Sequence, residues 1–339
     1  MAGHGGAPAL LAMAALLAAA AWVRAEPKGE QLSIDLIGKN EVYGDTRHEV
    51  NVYVKVSTNS PFLVCMDLAL SQEKIIDPKY LWIGPDGRNL KGQSSAELAE
   101  PGKLVLVAFR ESMSGAYSCT LAHRVIEATT QEETEIVEAY KFMVYAYREA
   151  DHAYQVFVRF STSHCRLRAN TLYFETLKQI LNRTISHLKC HITESSCKCH
   201  SIRTPKQGLQ HELFVNFQVH PFAPGLEEVC HKVPDDCEDV TNMRVQQATE
   251  QIGKFFLQLR DALKHQVEAV PAIQFVENSF SMTPIDSCRP GFGKDQHSHQ
   301  NCASCCVVCG PGTYSPNNEV TCRTCAWARV RVYGAKSCN

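Results

Sequence analysis

The sequence lacks an excess of charge of either sign, and this absence removes one broad class of partner. Lysine and arginine together number 34 and aspartate and glutamate 36, which leaves a formal net charge of −2 at neutral pH. No long block of like charges occurs along the chain. Proteins that bind nucleic acid carry a basic patch, because attraction to phosphate supplies much of their affinity. We therefore expect no nucleic-acid partner.

Beyond its first residues, the sequence also lacks an apolar stretch long enough to cross a membrane. Its one long apolar run covers residues 8–22 and precedes Val23-Arg24-Ala25, which places small residues at the −3 and −1 positions of a cleavage site. The run is shorter than the roughly 20 residues that a spanning helix needs. Residues 1–25 are therefore predicted to be a signal peptide. We expect no membrane span and a mature chain in the secretory pathway.

The motifs of common enzymes are missing as well. The sequence contains no Gly-x-Ser-x-Gly elbow, phosphate-binding loop or dinucleotide fingerprint. His211-Glu212 is followed by Leu-Phe-Val, so the second histidine of a zinc-protease helix is absent. The sequence therefore predicts a binding protein that is not an enzyme, with no catalytic residue, no cofactor and no metal.

Cysteine, by contrast, is abundant, and its distribution is informative. The 16 cysteines fall into three blocks, each with an even number that could close its own disulfides. Disulfides persist in oxidising compartments, so this pattern agrees with a secretory route. We expect the cysteines of the middle block to pair among themselves. The blocks are Cys65 and Cys119; Cys165, Cys190, Cys197, Cys199, Cys230 and Cys237; and Cys288, Cys302, Cys305, Cys306, Cys309, Cys322, Cys325 and Cys338.

Zinc is the alternative partner for several of these cysteines. Cys197-Lys198-Cys199-His200 could form half of a metal site, and the tail contains three Cys-x-x-Cys pairs. An oxidising compartment favours disulfides at both places. His297 and His299 are interpreted as exposed loop residues rather than as metal ligands.

The front block, assigned to residues 26–148, predicts an immunoglobulin-like β-sandwich. Short segments of alternating apolar and polar residues, each bounded by turn sequences, occur at 50–56, 104–109 and 141–147. Trp82 and Cys119 follow Cys65, and Tyr117 stands two positions before Cys119. In immunoglobulin domains one disulfide joins the two sheets, a tryptophan packs on it, and such a tyrosine fixes a corner. We therefore predict a Cys65–Cys119 disulfide and structural roles for Trp82 and Tyr117.

The middle block, assigned to residues 149–284, changes its periodicity between strand and helix. The pattern predicts strands at 154–160, 213–219 and 272–280, and helices at 171–190 and 243–268. The order strand, helix, strand, helix, strand indicates a small α+β domain with its helices on one face of a sheet.

The tail, assigned to residues 285–339, holds eight of the 16 cysteines. A segment of this length buries too little apolar surface to fold without cross-links. We therefore predict a small disulfide-rich C-terminal module, whose connectivity the sequence leaves open.

Several phrases of the sequence resemble one known family. These phrases are IDPKYLWIGPDG, ESMSGAYSCTL, FMVYAYREADHAYQ, HELFVNFQV, DSCRPGFGK, CASCCVVCGPGTYSP and YGAKSC. Over about residues 45–339 the chain resembles the zona pellucida-binding proteins of sperm, with CASCCVVC as the most specific part. The resemblance implies an immunoglobulin-like domain followed by a cysteine-rich region. It also implies residence in the acrosomal vesicle, a part in acrosome assembly, and binding to zona pellucida glycoproteins.

The resemblance transfers no contact residues, so candidate contacts must come from the expected fold. Sandwich domains bind through edge strands or end loops, which points to segments 83–92 and 121–135. Arg88 and Lys91 are candidate contacts, with ordinary solvated turns as the alternative interpretation. Asn182-Arg183-Thr184 is an N-glycosylation acceptor and predicts a glycoprotein.

Two functions follow as hypotheses. The first is an adhesion protein that binds sperm to the zona pellucida and contributes to acrosome assembly. The alternative is a structural scaffold of the acrosomal matrix, whose partners are other matrix proteins and which has no direct adhesion to the egg coat.

Overall fold

The computed structural model describes residues 40–126, 132–165, 168–204, 208–225, 237–265, 273–316, 320–326 and 330–338. The predicted signal peptide, Cys230 and part of segment 121–135 lie outside these ranges. Residues 43–339 form one compact unit and residues 1–42 another, of which only 40–42 are described.

The front of the chain forms a two-sheet sandwich. In one sheet β3, β6 and β5 are neighbours in that order; in the other β8 lies between β7 and β2, and β4 pairs with β7. All of these pairs are antiparallel except β2 with β8, which run parallel. The strands are β1 (Glu41–Tyr43), β2 (Val50–Lys55), β3 (Phe62–Val64), β4 (Ile76–Ile83), β5 (Ala96–Ala99), β6 (Lys103–Leu106), β7 (Gly115–Ile126) and β8 (Glu133–Arg148).

A disulfide and a tryptophan occupy the centre of this sandwich. Cys65 and Cys119 are bonded, with their Cα atoms 5.7 Å apart, and neither side chain is exposed. Trp82 on β4 is also buried, and its ring centroid lies 5.6 Å from that of Phe142 on β8. The disulfide joins the two sheets and the aromatic pair fills the space beside it, as in immunoglobulin domains.

A tyrosine corner fixes the entry to β7. The Tyr117 hydroxyl donates a hydrogen bond to the Met113 carbonyl oxygen at 2.7 Å. Burial raises the pKa of this phenol above its usual value, so it remains a hydrogen-bond donor at any physiological pH. This hydrogen bond fixes the conformation of residues 113–117, immediately before the buried Cys119.

The middle of the chain folds as an antiparallel sheet with two helices on one face. The sheet order is β10-β11-β9-β12, and β13 also pairs with β9. Its elements are β9 (Asp151–Thr162), α1 (Arg168–Ile185), β10 (His191–Thr204), β11 (Gly208–His220), α2 (Cys237–His265), β12 (Ile273–Phe275) and β13 (Ser281–Ser287).

Apolar residues at helical spacing hold α1 and α2 against the sheet. They contact the inward-facing residues of β9 and β11, which recur at every second position. The buried set comprises Leu177, Leu181 and Ile185 of α1, Val245, Ala248, Ile252 and Phe256 of α2, Val156, Val158 and Phe160 of β9, and Leu213, Val215, Phe217 and Val219 of β11.

Two strands of this sheet differ from the sequence expectation. β10 was not predicted, because its residues are mostly polar, as suits an edge strand, and lack the apolar alternation that identifies a strand. The strand predicted over 272–280 is limited to β12, and a further strand, β13, follows it. Both strands pair with the same edge of β9, and β13 lies beyond the predicted range.

The tail consists of short strands cross-linked by disulfides. Its strands are β14 (Phe292–Gly293), β15 (Cys306–Val308), β16 (Thr313–Tyr314) and β17 (Arg323–Thr324). The disulfides join Cys288 to Cys306, Cys302 to Cys305, Cys309 to Cys322 and Cys325 to Cys338. Each of these bonds lies within the tail.

The tail is nevertheless continuous with the rest of the molecule. β15 pairs with the end of β8, where Cys306 lies opposite Arg148, and so extends the immunoglobulin-type sheet. The sequence boundary placed at 284/285 falls inside β13, which pairs with β9 as far as Asp151. The three cysteine blocks therefore share sheets although the disulfides reported above do not link them.

The predicted fold class is confirmed: an N-terminal immunoglobulin-type domain, mainly β-structure with few helices, and a disulfide-rich C-terminal module. Within the described residues, no helix combines the length and the apolar character that crossing a bilayer requires.

Candidate functional site

Of the two segments proposed from sequence, 83–92 begins at one end of β4, and Arg124 of 121–135 lies at the other end. Segment 83–92 follows Ile83, which pairs with Ser118, whereas Arg124 of segment 121–135 pairs with Ile76. Eight strand residues at about 3.3 Å each put these points roughly 25 Å apart. The structure therefore does not bring the two segments together into one site.

The turn in segment 83–92 is closed by its own hydrogen bonds. The Arg88 amide donates to Asp86 Oδ1 at 3.0 Å, and the Lys91 amide donates to Asn89 Oδ1 at 2.9 Å. Gly87 has a φ of 76°, a value that suits glycine at this turn. The side chains of Arg88 and Lys91 point into solvent.

Segment 121–135 forms the two arms of the β7–β8 hairpin. Its residues 127–131 lie outside the described part of the chain. Arg124 bridges two acidic side chains, with Nη1 at 3.2 Å from Glu133 and 3.6 Å from Asp77. These are exposed ion pairs, which contribute little to stability.

Of the two cysteines of β10, one forms a disulfide, as favoured from the sequence over a metal half-site, and the other does not. Cys199 is bonded to Cys165, and Cys197 keeps a free thiol. Cys197 and Cys199 are two residues apart and face the helices, whereas Lys198 and His200 face the opposite side of the sheet. Within the described ranges, no group of three or more potential ligands could hold a metal ion.

The expectation that all six middle cysteines pair is wrong for two of them. Cys190 is buried and Cys197 half-buried, and both are free thiols, whereas Cys237 is disulfide-bonded. Burial raises the pKa of the Cys190 thiol to about 12 and raises that of Cys197 as well. Both sulfurs are therefore protonated near neutral pH, the form that neither attacks disulfides nor binds metal well.

His299 is not the exposed loop residue that the sequence suggested. Its Nδ1 lies 3.1 Å from the Tyr53 hydroxyl, and its ring contacts Tyr145 edge-on with centroids 4.8 Å apart. Burial lowers its pKa from the usual value. His299 thus fixes the tail to β2 and β8, whereas His297 is exposed as expected.

A buried ion pair lies where the middle sheet, α2 and the tail meet. Arg289 Nε lies 3.2 Å from Asp151 Oδ2, and Asp151 has no exposed side-chain surface. Arg289 Nη2 also donates to the Thr241 hydroxyl on α2 at 3.3 Å. The adjacent residue, Cys288, forms a disulfide with Cys306 on β15, the strand that pairs with β8. Sequence periodicity gives no signal for such a pair, because its members are far apart in the chain.

A second buried polar cluster surrounds His220 at the end of β11. His220 Nε2 lies 2.9 Å from Gln218 Oε1, and Nδ1 lies 3.3 Å from the Ser287 hydroxyl. The neutral ring satisfies both contacts by donating to Gln218 and accepting from Ser287. Burial, together with the neighbouring His191, lowers the pKa of His220 to about 4.

This cluster predicts that stability falls in mild acid. The folded His220 stays neutral down to about pH 4, while the unfolded chain takes up a proton below about pH 6.5, so stability is lost as the pH falls through this window. The full loss is about 3 kcal/mol. His220→Gln should reduce the dependence of the unfolding midpoint on pH between 7.5 and 4. The exposed His297→Gln is the control, and equal pH profiles for the two variants would contradict the prediction.

A concave groove lies on the face of the middle sheet opposite α1 and α2. Its cavity volume is about 490 Å³. The side chains of Phe157 and Phe214 are 45% and 37% exposed there, although both belong to central strands. The remaining lining residues are Val158, Arg159, Ser196, Lys198, His200, Val215, Asn216 and Ser279. None of the sequence-predicted contacts lies in this groove.

Cross-strand pairing places the groove side chains in rows. Lys198 of β10 lies opposite Phe214 of β11, which lies opposite Arg159 of β9. His200 contacts the edge of the Phe214 ring, with centroids 5.3 Å apart. An aromatic surface is thus flanked by cationic side chains on both sides. The groove thus offers a flat apolar surface beside groups that donate charge-assisted hydrogen bonds.

The fold defines a class of modular protein that is cross-linked by disulfides. An immunoglobulin-type sandwich is followed along the chain by an α+β domain and then by a small cysteine-rich module. Two family models match the chain at its ends. Residues 49–148 match the N-terminal Ig domain of zona-pellucida-binding protein (Sp38), and residues 288–339 match its C-terminal EGF-like domain.

Curated relatives extend this match across the chain. It is 56% identical over the full length of both sequences to zona pellucida-binding protein 2 of Gallus gallus, and 48% identical to that of Rattus norvegicus over 96% of the chain and 98% of the relative. Zona pellucida-binding protein 1 of Gallus gallus is 30% identical over 88% of the chain and 90% of its own length. The chain belongs to the zona pellucida-binding protein family, and these identities are higher to protein 2 than to protein 1.

Proposed function

We propose that this chain is a non-enzymatic adhesion glycoprotein that binds sperm to the glycoproteins of the zona pellucida and contributes to acrosome assembly. The observation that carries the proposal is the 56% identity, over the whole of both chains, to a relative named zona pellucida-binding protein 2. The immunoglobulin and EGF-like modules support it, because rigid sandwiches commonly present binding surfaces.

The proposal includes a route and a location. Residues 1–25 act as a signal peptide, the chain enters the secretory pathway, and it resides in the lumen of the acrosomal vesicle. The disulfides of the sandwich, the middle block and the tail support an oxidising compartment. Other acrosomal matrix proteins are its further partners.

Binding of the purified, full-length mature chain to isolated zona pellucida glycoproteins tests the function. We expect saturable binding that unlabelled chain competes away and that reduction of the disulfides abolishes. A heavily glycosylated protein of another source, immobilised at equal density, is the control surface. Equal binding to both surfaces, or none, would contradict adhesion. Retention in an insoluble acrosomal fraction without zona binding would instead support the scaffold hypothesis.

Asn182 is proposed to carry an N-linked glycan, and its side chain also makes a hydrogen bond within the fold. Its Oδ1 accepts a hydrogen bond from the Ile192 amide at 2.8 Å, which ties α1 to the start of β10. The amide nitrogen of the same side chain, to which a glycan would be attached, is not used in that bond.

Two variants distinguish these roles. Asn182→Ala should remove the glycan and cost about 1 kcal/mol of unfolding free energy through the lost hydrogen bond. Thr184→Ala should remove the glycan with a smaller loss, because the Thr184 hydroxyl bonds only the Ile180 carbonyl of its own helix. Mass shift on glycosidase treatment and thermal unfolding measure the two effects. An unchanged mass in the wild-type chain would contradict glycosylation.

A further inference from the structure

The middle sheet has one covered and one open face. Helices α1 and α2 bury the face that carries Val156, Val158 and Phe160. The opposite face exposes Phe157 and Phe214, which lie on the central strands β9 and β11. Large apolar side chains on central strands are usually covered by a second layer of structure. Exposed aromatic rings in a concave surface are a common sign of a binding site.

The charge of this face differs from that of the chain as a whole. None of the described residues that line the groove is acidic, whereas Arg159 and Lys198 are cationic. The acidic residue next to the groove, Glu212, is 12% exposed and pairs with Arg159 at 3.1 Å, so Lys198 supplies the positive charge that this pair does not compensate. The chain carries a net charge of only −2, so the groove is a local positive region on a nearly neutral protein.

The groove also supplies neutral hydrogen-bonding groups between the rings and the cations. Asn216 lies opposite Phe157 on one side and Ser196 on the other. Ser279, from the segment between β12 and β13, forms one wall. Its hydroxyl accepts from the Arg159 amide at 3.1 Å and donates to the Val276 carbonyl at 2.6 Å, which fixes this wall against β9.

We propose that this groove binds an anionic saccharide of the zona glycoproteins, one to three rings long. The apolar C–H face of a sugar ring packs on Phe214 and Phe157, and its sulfate or carboxylate lies between Lys198 and Arg159. Hydroxyl groups of the sugar bond Asn216 and Ser196. The cavity of about 490 Å³ has the size of ordinary small-ligand sites. The inference rests on the proposed function and names the site and ligand chemistry for it.

Two features favour this occupant over others. A second copy of the chain packed face to face would bring Lys198 and Arg159 near their own counterparts, and like charges oppose such a contact. The chain's own proposed glycan leaves from the other side, because Asn182 lies on α1, which packs on the covered face. The open face therefore remains accessible to a saccharide of a partner.

The test uses full-length mature chain with lactose 3′-sulfate and with lactose, its uncharged counterpart. Ligand-observed NMR should show binding of the sulfated sugar that is about tenfold or more stronger than that of lactose. Lys198→Glu and Phe214→Ser should each weaken this binding about tenfold and weaken zona binding in parallel. Lys254→Glu, on α2 at the covered face of the sheet, removes an exposed lysine outside the groove and should change neither. All three positions are solvent-exposed, and unchanged thermal unfolding would show that the variants remain folded.

The outcomes separate the site from the function. Wild-type zona binding with undiminished binding by Lys198→Glu and Phe214→Ser would overturn the groove and leave adhesion intact. No zona binding by the wild type would overturn the proposed function, and binding of lactose 3′-sulfate would then judge the groove by itself. A short poly-glutamate peptide that competes as well as the sulfated sugar would overturn the saccharide assignment.

Discussion

Arg289→Met is expected to lower the free energy of unfolding by about 3–5 kcal/mol. The change leaves the Asp151 carboxylate as a charge with no exposed surface and without its arginine partner. It also removes the contact from the tail to Thr241 on α2. Urea unfolding followed by tryptophan fluorescence, under non-reducing conditions, measures the loss.

Lys294→Met provides a matched control in the same module. Lys294 Nζ lies 2.7 Å from Asp286 Oδ2, a shorter distance than in the Arg289 pair, but the Asp286 side chain is 63% exposed. Solvent screens such a pair, so its loss should cost less than about 1 kcal/mol. The double variant Asp151→Asn with Arg289→Met should recover part of the stability, because it removes the buried charge as well. Equal losses for Arg289→Met and Lys294→Met would refute the importance of burial.

Replacing both Cys65 and Cys119 by alanine is expected to cost about 4 kcal/mol. The disulfide closes a loop of 54 residues, and a long loop gives the unfolded chain more freedom when the bond is absent. Both sulfurs also lie in the core beside Trp82, so the variant loses packing in addition. The thermal midpoint and the urea midpoint of the variant should both fall sharply.

The disulfide between Cys302 and Cys305 is the natural comparison. It spans only three residues, so its removal should cost about 2 kcal/mol or less by the same loop argument. A smaller loss for the Cys65–Cys119 variant than for the Cys302–Cys305 variant would show that chain entropy does not decide these stabilities.

Much of the fold could be predicted from residue spacing and apolar periodicity, because both follow directly from the geometry of strands and helices. The spacing of Cys65, Trp82 and Cys119 reports two sheets held together by one cross-link, and the structure contains that arrangement. The helices were visible through apolar residues at three- and four-residue steps, and α1 and α2 bury those residues. Their ends differ by a few residues from the prediction, since helix termini depend on contacts that periodicity does not report.

The missed features depend on tertiary contacts. β10 is an edge strand whose polar residues face solvent on one side, so it lacks the apolar alternation that identifies a strand. The groove arises because helices cover only one face of the sheet, and sequence alone does not say which face stays open. Lys198, Phe214 and Arg159 come from three strands and share no motif.

Cysteine counting failed for a related reason. An even number of cysteines permits complete pairing, but pairing requires Cα atoms within about 7 Å of each other. β10 directs Cys197 beside Cys199, and Cys165 bonds only the latter. Parity therefore predicted the disulfide-rich character of the middle block but not its two thiols.

The pairing of β15 with the end of β8 has a consequence for biosynthesis. β8 leaves the ribosome long before Cys306 does, so this part of the immunoglobulin-type sheet keeps an unpaired edge while the middle block is made. The ion pair between Asp151 and Arg289 cannot form during the same interval, because Arg289 has not yet been synthesised. A nascent chain that stops before Cys288 would lack both the β15 partner of β8 and the Arg289 partner of Asp151. The sheet of the N-terminal domain is therefore complete only after residue 308 has been synthesised, because β15 supplies its last strand pairing.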